Sequence, residues 1–485
     1  MNQTIYKSPM TILPYVPKKV SNMAILMYIA ALLTTSALYM DYAMHWYWWI
    51  FGIVEVVCYF YFANQLTRNW ATLRPMTFEK KLFWTAFLIR VVVMLFLYWF
   101  HNEMTGQPFM FAAADARGYH DEAVWMAQTI RDGQFDIYFN YKFVERSGVS
   151  DAGYPIYLGL VYLLTGDSII VARLLKCLWG ALSCLLIYRL GKRNFGEQVG
   201  RIAAILMMLE SHFWIYGGMH LKETEMIFMM LWFLERADAL VRSRKFDLRN
   251  VAIVAVLMAS LFTFRTVLGL TGVFALGIAL MLSSKRVISW GKRIVFLLVF
   301  GATALYFAGG RIISEIETVW ELKDDNQASR MSEIVRTQSL AKYAGAAVFA
   351  PMIFTIPFPT MVETEGQETS RMLHGGMVTK GIMSFFCILA IVTLVLPVRG
   401  MNNWRNHVLI GAFLVAYLGI LVFSAFAHAD RFHMPALPLE ILFVAYGISL
   451  WRINISRRWF NWWLIAMFVA FVGWNWFKLK GRGAI

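Results

Sequence analysis

The stretch LFWTAFLIRVVVMLFLYWF, residues 82–100, decides the class of fold. Arg90 is its only charged residue, and most of the other side chains are apolar or aromatic. A helix of this length rises roughly 30 Å, which is about the thickness of a bilayer's hydrocarbon core. The stretch therefore predicts a transmembrane helix.

The composition extends this interpretation to the whole chain. Hydrophobic residues make up 59% of the sequence and charged residues only 15%, a balance that a soluble chain could not tolerate. Similar apolar runs recur along the chain, so we predict an all-α polytopic membrane protein with about thirteen spans. The predicted spans are 22–40, 45–63, 82–100, 169–190, 199–218, 223–241, 250–265, 267–283, 293–308, 381–397, 406–427, 433–451 and 459–477.

The basic residues predict the orientation. Lys and Arg, which give a formal net charge of +15, fall mainly between apolar runs. With a cytoplasmic N-terminus, loops such as RLGKRNFGEQVGR and RADALVRSRKFDLRN all lie inside, as the positive-inside rule requires, so nucleic acid is not an expected partner. The basic tail KLKGRGAI would then lie outside. The run AGAAVFAPMIFTIPFP, residues 344–359, is either an extra span or, as we favour, a helix at the outer surface.

Other polar or reactive residues inside the spans have structural interpretations. The four cysteines, Cys58, Cys177, Cys184 and Cys387, fall in apolar runs without metal spacing, so we expect buried free thiols. Glu55 and Arg90 lie within the second and third spans, and we expect them to form a structural ion pair.

The remaining polar segments fall on the predicted outer face. A transporter usually places ionisable groups near the bilayer midplane, often in repeated halves, and no internal repeat is visible in this sequence. The layout therefore predicts a working surface at the outer membrane boundary. The segments are FAAADARGYHDEAVWMAQTIRDGQ (111–134), SGVSDAGYP (147–155), GGMHLKETE (217–225), FRT (264–266), residues 309–379 and AHADRFHMP (427–435).

The first of these segments holds candidate acid–base groups. Asp115, Asp121 and Glu122 fall within eight residues, and helical spacing places Asp115, Tyr119 and Glu122 on or near one face. A carboxylate there could act as a general base. It could equally be part of a solvated, acidic helix start. The local pattern leaves both interpretations open.

The order of features along the chain resembles a known superfamily. Asp115 and Tyr119 precede GYPIYLGLVYLLTGD (153–167), which contains Pro155 and Gly166; Arg173, GKRNFG and RIAA follow, with ADRFHMPALPLEILFVAYGI (429–448) near the other end. This series resembles the GT-C glycosyltransferases, especially the bacterial relatives of protein O-mannosyltransferases and lipid A aminoarabinose transferases. The resemblance covers about residues 82–450. It implies a multi-pass protein of the bacterial inner membrane with a periplasmic or extracellular active site.

Three departures from the superfamily's pattern stand out. Ala116 occupies a position where a second acidic residue is common, so the catalytic role could move to the Asp121–Glu122 pair. Two spans precede the matching region. HLKETE, residues 220–225, is more charged than usual and is also typical of polysaccharide polymerases and ligases.

The resemblance implies roles for individual residues. Asp115 would be the general base of an inverting transfer, with Asp121 and Glu122 as fallbacks. The implied donor-phosphate ligands are Lys222, Arg265 and Arg431, with Arg371 and His433 in reserve. The implied substrate pocket comprises Tyr119, Tyr154, His220, Glu223 and His374. No cofactor and no metal is expected, because His220, His428 and His433 lack paired ligand spacing.

The sequence divides into four predicted segments. Residues 1–81 hold an N-terminal tail and two extra spans, 82–308 a GT-C-like core with its first outer loop at 101–168, 309–380 a lid or acceptor platform, and 381–485 the last spans. The expected partners are a polyprenyl-phosphate sugar donor, a lipid, glycan or protein acceptor, and membrane lipids. An O-antigen polymerase or ligase is the alternative enzyme, and a lipid or solute transporter the alternative from another class.

Overall fold

A computed structural model of the chain is all-helical in the residues that it describes. The described residues are 13–111, 113–145, 150–243, 247–282, 301, 359–396, 404–422, 430–451 and 454–481. Most of the predicted span 293–308 and nearly all of the run 344–359 lie outside these residues.

The first three helices are α1 (Lys18–Leu38), α2 (Trp46–Asn69) and α3 (Pro75–Thr105). Those of the middle of the chain are α4 (Ala114–Arg131), α5 (Phe135–Phe139), α6 (Gly153–Thr165), α7 (Ile169–Phe195), α8 (Glu197–Leu209), α9 (Ser211–Gly218), α10 (Glu223–Arg242), α11 (Leu248–Phe264) and α12 (Thr266–Leu282). The last helices are α13 (Glu368–Met372), α14 (His374–Val395), α15 (Val408–Val422), α16 (Asp430–His433), α17 (Leu437–Ser449) and α18 (Asn454–Gly481). A π-helical turn covers Asn140–Glu145.

The chain is a multi-pass membrane protein. Seven of the described helices are long and apolar enough to cross a membrane, and four shorter apolar helices accompany them. Along α3, Trp84, Leu88, Val92 and Trp99 are each more than half exposed at helical spacing, as expected of a face that meets lipid. The total of about thirteen spans stays a prediction.

Glycine and proline fix the ends and crossings of these helices. Pro75 begins α3, where its missing N–H leaves no hydrogen bond unmade, and Gly106 ends it with a φ of 70°. Gly191 of α7 and Gly200 of α8 approach so closely that a Cβ on Gly191 would lie 2.9 Å from the Gly200 Cα. Small residues permit this close backbone contact, which is typical of membrane helix pairs.

One predicted span is not a continuous helix. Residues 199–218 form two helices, α8 and α9, because Glu210 between them has an extended backbone with ψ of 119°. The Glu210 carboxylate is buried and contacts His212 Nδ1 at 2.7 Å. The predicted span 381–397 also begins earlier, at His374, so Lys380 is helical and pairs with Glu440 of α17 at 3.5 Å.

The predicted Glu55–Arg90 ion pair is also wrong. Glu55 Oε2 accepts a hydrogen bond from the Gly376 backbone N–H at 2.9 Å, so Glu55 joins α2 to α14. Arg90 Nη1 donates to the Ala86 carbonyl at 3.2 Å, and its Nη2 lies 3.5 Å from Cys184 Sγ on α7. The two charged groups therefore meet different helices. The four cysteines are free and are buried or half-buried, as predicted.

Candidate active site

Helix α4 presents Asp115 in its first turn. This helix is not a membrane span; it packs on α6, and Tyr119 meets Tyr154 edge to face with ring centroids 5.1 Å apart. Gly159 of α6 leaves room for Met126, whose Sδ would lie 2.6 Å from a Cβ at that position. The packing fixes α4 while leaving the Asp115 side chain 53% exposed.

Arg431 links two carboxylates from distant parts of the chain. Its Nη1 lies 2.6 Å from Asp115 Oδ2, and its Nε lies 2.7 Å from Glu223 Oε1. The Arg431 side chain is only 15% exposed and that of Glu223 is fully buried, so this pairing is shielded from water. Helices α4, α10 and α16 thus meet at one guanidinium group.

Two further cations lie in the same region. Lys222, just before α10, donates to the Phe264 carbonyl at 3.2 Å, contacts Asp151 and lies 5.8 Å from the centre of the Tyr119 ring. Arg265, between α11 and α12, stacks its guanidinium 4.4 Å from the centre of the Phe432 ring.

Phe432 also connects the two arginines. Arg431 Cζ lies 5.5 Å from the centre of this ring, and the Phe432 carbonyl accepts a hydrogen bond from the Tyr417 hydroxyl at 2.7 Å. Arg265 Nη1 is buried and has no hydrogen-bond partner among the described residues. A buried donor without a partner is costly, so this nitrogen is well suited to an anionic ligand.

Burial and neighbouring charges shift the acid–base properties of the group. Burial, and then Arg265, lower the pKa of Lys222 to about 7, while Glu223 opposes the shift. Burial and Glu223 raise the pKa of Tyr119 to about 12, so this phenol stays protonated at neutral pH. Burial disfavours the charged form of Arg431 and so acts to lower its pKa. The nearby carboxylates of Glu223 and Asp115 favour the charged form more strongly, and the Arg431 pKa is raised.

An open cleft of about 520 Å³ borders Asp115 along one side of α4. This volume lies within the usual range for small-molecule sites. The cleft is lined by Ala114, Asp115, Gly118, Tyr119, Asp121, Glu122, Trp125, Tyr141, Lys142 and Asp151.

The fallback carboxylates differ from Asp115 in their contacts. Glu122 contacts Lys142 Nζ at 2.5 Å and accepts a hydrogen bond from the Tyr138 hydroxyl at 3.0 Å, so both partners hold it in a structural role. Asp121 is exposed on the cleft wall. Asp115 is the one of the three that pairs with Arg431.

Other predicted site residues form separate groups. Arg371 pairs with Glu363 at 2.9 Å and Glu368 at 3.3 Å, and its guanidinium lies 5.6 Å from the centre of a Trp48 ring. His374 is fully buried, and its Nε2 lies 2.9 Å from the Tyr28 hydroxyl. The structure therefore does not bring Arg371 and His374 into the Asp115–Arg431 group.

The predicted pocket histidine His220 is buried beneath α4. Its Nε2 lies 3.2 Å from the Tyr162 hydroxyl, and its ring packs near His120 and Tyr154. Burial and Arg173 lower the pKa of His220 well below its ordinary value, so it is neutral. His433 is buried at the end of α16, two residues from Arg431.

Sequence reasoning missed several members of the site. Asp151, which contacts Lys222, stands in the quoted segment SGVSDAGYP but gave no chemical signal by itself; its φ of 64° belongs to a tight turn. Phe432 lies in the quoted segment ADRFHMPALPLEILFVAYGI, but no contact with the site was predicted for it. The buried Lys176–Glu225 pair, at 3.4 Å, joins α7 to α10 beneath the site. No group of three or more His, Cys, Asp or Glu side chains with metal-binding geometry occurs in the part of the chain that the structure describes.

A known protein family matches the middle of the chain, from α6 onward. The family described as dolichyl-phosphate-mannose-protein mannosyltransferase matches residues 153–308. This match supports a GT-C superfamily glycosyltransferase. It indicates a membrane enzyme that depends on a polyprenyl-phosphate sugar. No curated protein matches the chain significantly.

The GT-C match covers only part of the site. It begins at Gly153, the first residue of α6, and includes Arg173, Lys222, Glu223 and Arg265. Asp115 and Arg431 lie outside the matched residues, so their placement in the site rests on the contacts described above.

Proposed function

We propose that the protein is an inverting glycosyltransferase that moves a sugar from a polyprenyl-phosphate carrier to an acceptor hydroxyl. The single observation that carries this proposal is the contact between Arg431 and Asp115, which joins a half-exposed carboxylate to a shielded cationic group. The family match supports the donor class.

Asp115 acts as the general base in this proposal. Its carboxylate is exposed to the cleft, so an acceptor hydroxyl can reach it. As the hydroxyl oxygen bonds to the anomeric carbon, its proton passes to Asp115, and the bond from that carbon to the phosphate oxygen breaks. A positioned general base typically accelerates such a step by about 10²–10⁴-fold.

The cations receive the departing phosphate. Polyprenyl phosphate gains negative charge as it leaves, and fixed cations in a partly dry site stabilise that charge strongly. Arg265 offers a buried guanidinium nitrogen without a hydrogen-bond partner among the described residues, and Lys222 and Arg431 lie in the same group. Glu223 holds Arg431 in place.

The site faces the periplasm or the outside of the cell in this proposal, and the N-terminus lies in the cytoplasm. The prediction rests on the basic loops between the spans. We place the protein in a bacterial inner membrane, with residues 82–308 as the catalytic core and residues 1–81 as an addition to it.

The test is a reaction of the purified full-length protein with undecaprenyl-phosphate sugars carrying a radiolabelled sugar. The expected result is acceptor-dependent release of undecaprenyl monophosphate, together with a product of inverted anomeric configuration. Nucleotide sugars and undecaprenyl-diphosphate sugars serve as matched controls and should not react. Turnover of the diphosphate-linked donor alone would contradict the proposal and favour a polymerase or ligase.

A further inference from the structure

We propose that the cleft along α4 binds an oligosaccharide acceptor, with the reacting hydroxyl at Asp115 and a more distant sugar at Trp125. This inference rests on the proposed glycosyl transfer, whose acceptor the family match does not define. It selects a glycan from among the lipid, glycan and protein acceptors.

The cleft is longer than one sugar ring. Asp115 and Trp125 both line it and are ten residues apart on α4, which corresponds to about 15 Å along the helix axis. A ligand that contacts both ends therefore has several linked units.

The far end of the cleft is built from packed aromatic rings. Trp125 lies edge to face with Tyr141 at 5.0 Å and with Tyr138 at 5.4 Å, so the indole is held in place. The C–H groups of a pyranose carry partial positive charge and stack on the electron-rich face of such a ring.

The polar wall of the cleft matches the hydroxyl groups of a sugar. Asp115, Asp121 and Asp151 are exposed carboxylates, which only accept hydrogen bonds when ionised, and sugar hydroxyls donate them. Glu122 is kept in position by Lys142 and Tyr138. A wall of this kind provides acceptors at several points along the ligand.

The same wall disfavours other acceptors. Of the four carboxylates on this wall, Asp115, Glu122 and Asp151 are paired with cations. Asp121 is the one exposed carboxylate left to repel an anionic lipid headgroup. A lipid chain needs an apolar wall. Among its described lining residues, the cleft has no aliphatic side chain larger than that of Ala114 to hold a lipid chain or an amphipathic helix, and no strand edge that could pair with an extended peptide.

Asp115 stands where the cleft meets the cationic group. Its Oδ2 contacts Arg431, while the side chain also lines the cleft. An inverting transfer requires the attacking oxygen and the leaving phosphate on opposite sides of the anomeric carbon. The inference therefore places the acceptor in the cleft and the donor phosphate at Arg265 and Arg431, with the anomeric carbon between them.

The test measures sugar transfer by the full-length protein to three acceptor probes. These are linear oligosaccharides of one to four sugars, a Ser/Thr-containing peptide, and detergent-dispersed lipid A. Transfer to the oligosaccharides, with a KM that falls as the chain lengthens, supports the inference. Transfer to the peptide or to lipid A, with none to the oligosaccharides, overturns the inference and leaves the proposed function standing. Failure to release the carrier with any acceptor contradicts the proposed function itself.

Variants of Trp125 separate a binding role from a folding role. Trp125→Ala should raise the oligosaccharide KM by about tenfold or more, with the donor Kd and kcat unchanged. Trp125→Phe preserves ring packing and should give a smaller increase. Phe139→Ala, at an exposed aromatic on α5 that is not among the residues lining the cleft, is the matched control. An oligosaccharide KM that stays at the wild-type value in Trp125→Ala overturns the inference.

Asp121→Asn provides an independent check of the polar wall. It replaces a carboxylate on the cleft wall with an amide of similar size, so it should raise the oligosaccharide KM without lowering kcat. Loss of kcat in this variant, with kcat retained in Asp115→Asn, overturns the assigned orientation of the acceptor.

Discussion

At the scale of single residues, the acid–base chemistry depends on partners that the sequence does not display. Asp115, Asp121 and Glu122 have similar sequence contexts, yet the first contacts Arg431, the second is exposed and the third is held by Lys142. Sequence order and resemblance indicated Asp115, Arg265 and Arg431 as candidates. The Arg371–Glu368 pair is local, at helical i,i+3 spacing, but the sequence could not show that Arg371 lies against Trp48 of α2, because that contact depends on the fold.

Lys222 should make donor binding sensitive to pH. Its pKa is lowered to about 7, so the cation is lost as the pH rises through that value. The anionic phosphate of the donor binds more tightly when Lys222 is protonated and therefore positively charged. Donor affinity should therefore be highest below about pH 7 and fall by up to about tenfold per pH unit above it. Measuring the donor Kd from pH 6 to pH 9 tests this.

Lys222→Arg is the matched variant for the pH experiment. A guanidinium stays protonated across this range, so the pH dependence of the donor Kd should flatten. A wild-type donor Kd that is constant from pH 6 to pH 9 would remove Lys222 from the phosphate site.

Replacing Arg431 should weaken donor binding. Arg431→Gln removes a shielded cation and leaves Glu223 buried without its partner. We expect donor affinity to fall about ten- to a hundredfold, since a charged hydrogen bond contributes about 1.5–3 kcal/mol. Arg74→Gln, at an exposed arginine just before α3, is the control. Equal donor affinity in the wild type and Arg431→Gln would exclude this arginine from the donor site.

At the scale of helices, apolar length and glycine placement explain most of the observed elements. The long spans were predicted to within several residues, because a membrane helix needs a continuous apolar run. The break between α8 and α9 was missed because Glu210 lies inside an otherwise apolar run, and hydropathy alone does not show that its backbone is extended and its carboxylate contacts the nearby His212. The early start of α14 was missed because His374 and Lys380 are polar residues buried against other helices.

Helix contact at Gly447 gives a prediction about stability. A Cβ at this position in α17 would meet the Phe386 carbonyl and lie 2.7 Å from its carbon, which is backbone that cannot rotate away. Gly447→Ala should therefore destabilise the folded protein by about 1–3 kcal/mol. Thermal unfolding in detergent measures the change as a lower Tm.

Gly473→Ala in α18 is the control for this substitution. A Cβ there meets nothing within 4 Å among the described residues, so the variant should unfold at the wild-type temperature or slightly above it. Equal Tm values for the two variants would show that α14 and α17 do not approach as closely as the structure places them.

At the scale of the whole molecule, the cleft and the basic loops must lie on opposite sides of the membrane for the protein to act as proposed. The sequence predicted this from charge alone. In intact cells, a membrane-impermeant thiol reagent should label Asp121→Cys on the cleft wall and spare Thr77→Cys at the start of α3. The parent protein controls for its four buried or half-buried cysteines. Labelling of Thr77→Cys alone would reverse the proposed orientation.

The role of Asp115 as general base is tested most directly by kcat for sugar transfer by Asp115→Asn, with the donor Kd measured on the same preparation. We predict that kcat falls by about 10²–10⁴-fold while the donor still binds, because the base is lost and the phosphate ligands remain. Asp136→Asn, at an exposed carboxylate on α5, should behave as wild type. An Asp115→Asn protein that transfers sugar at the wild-type rate would show that Asp115 is not the general base.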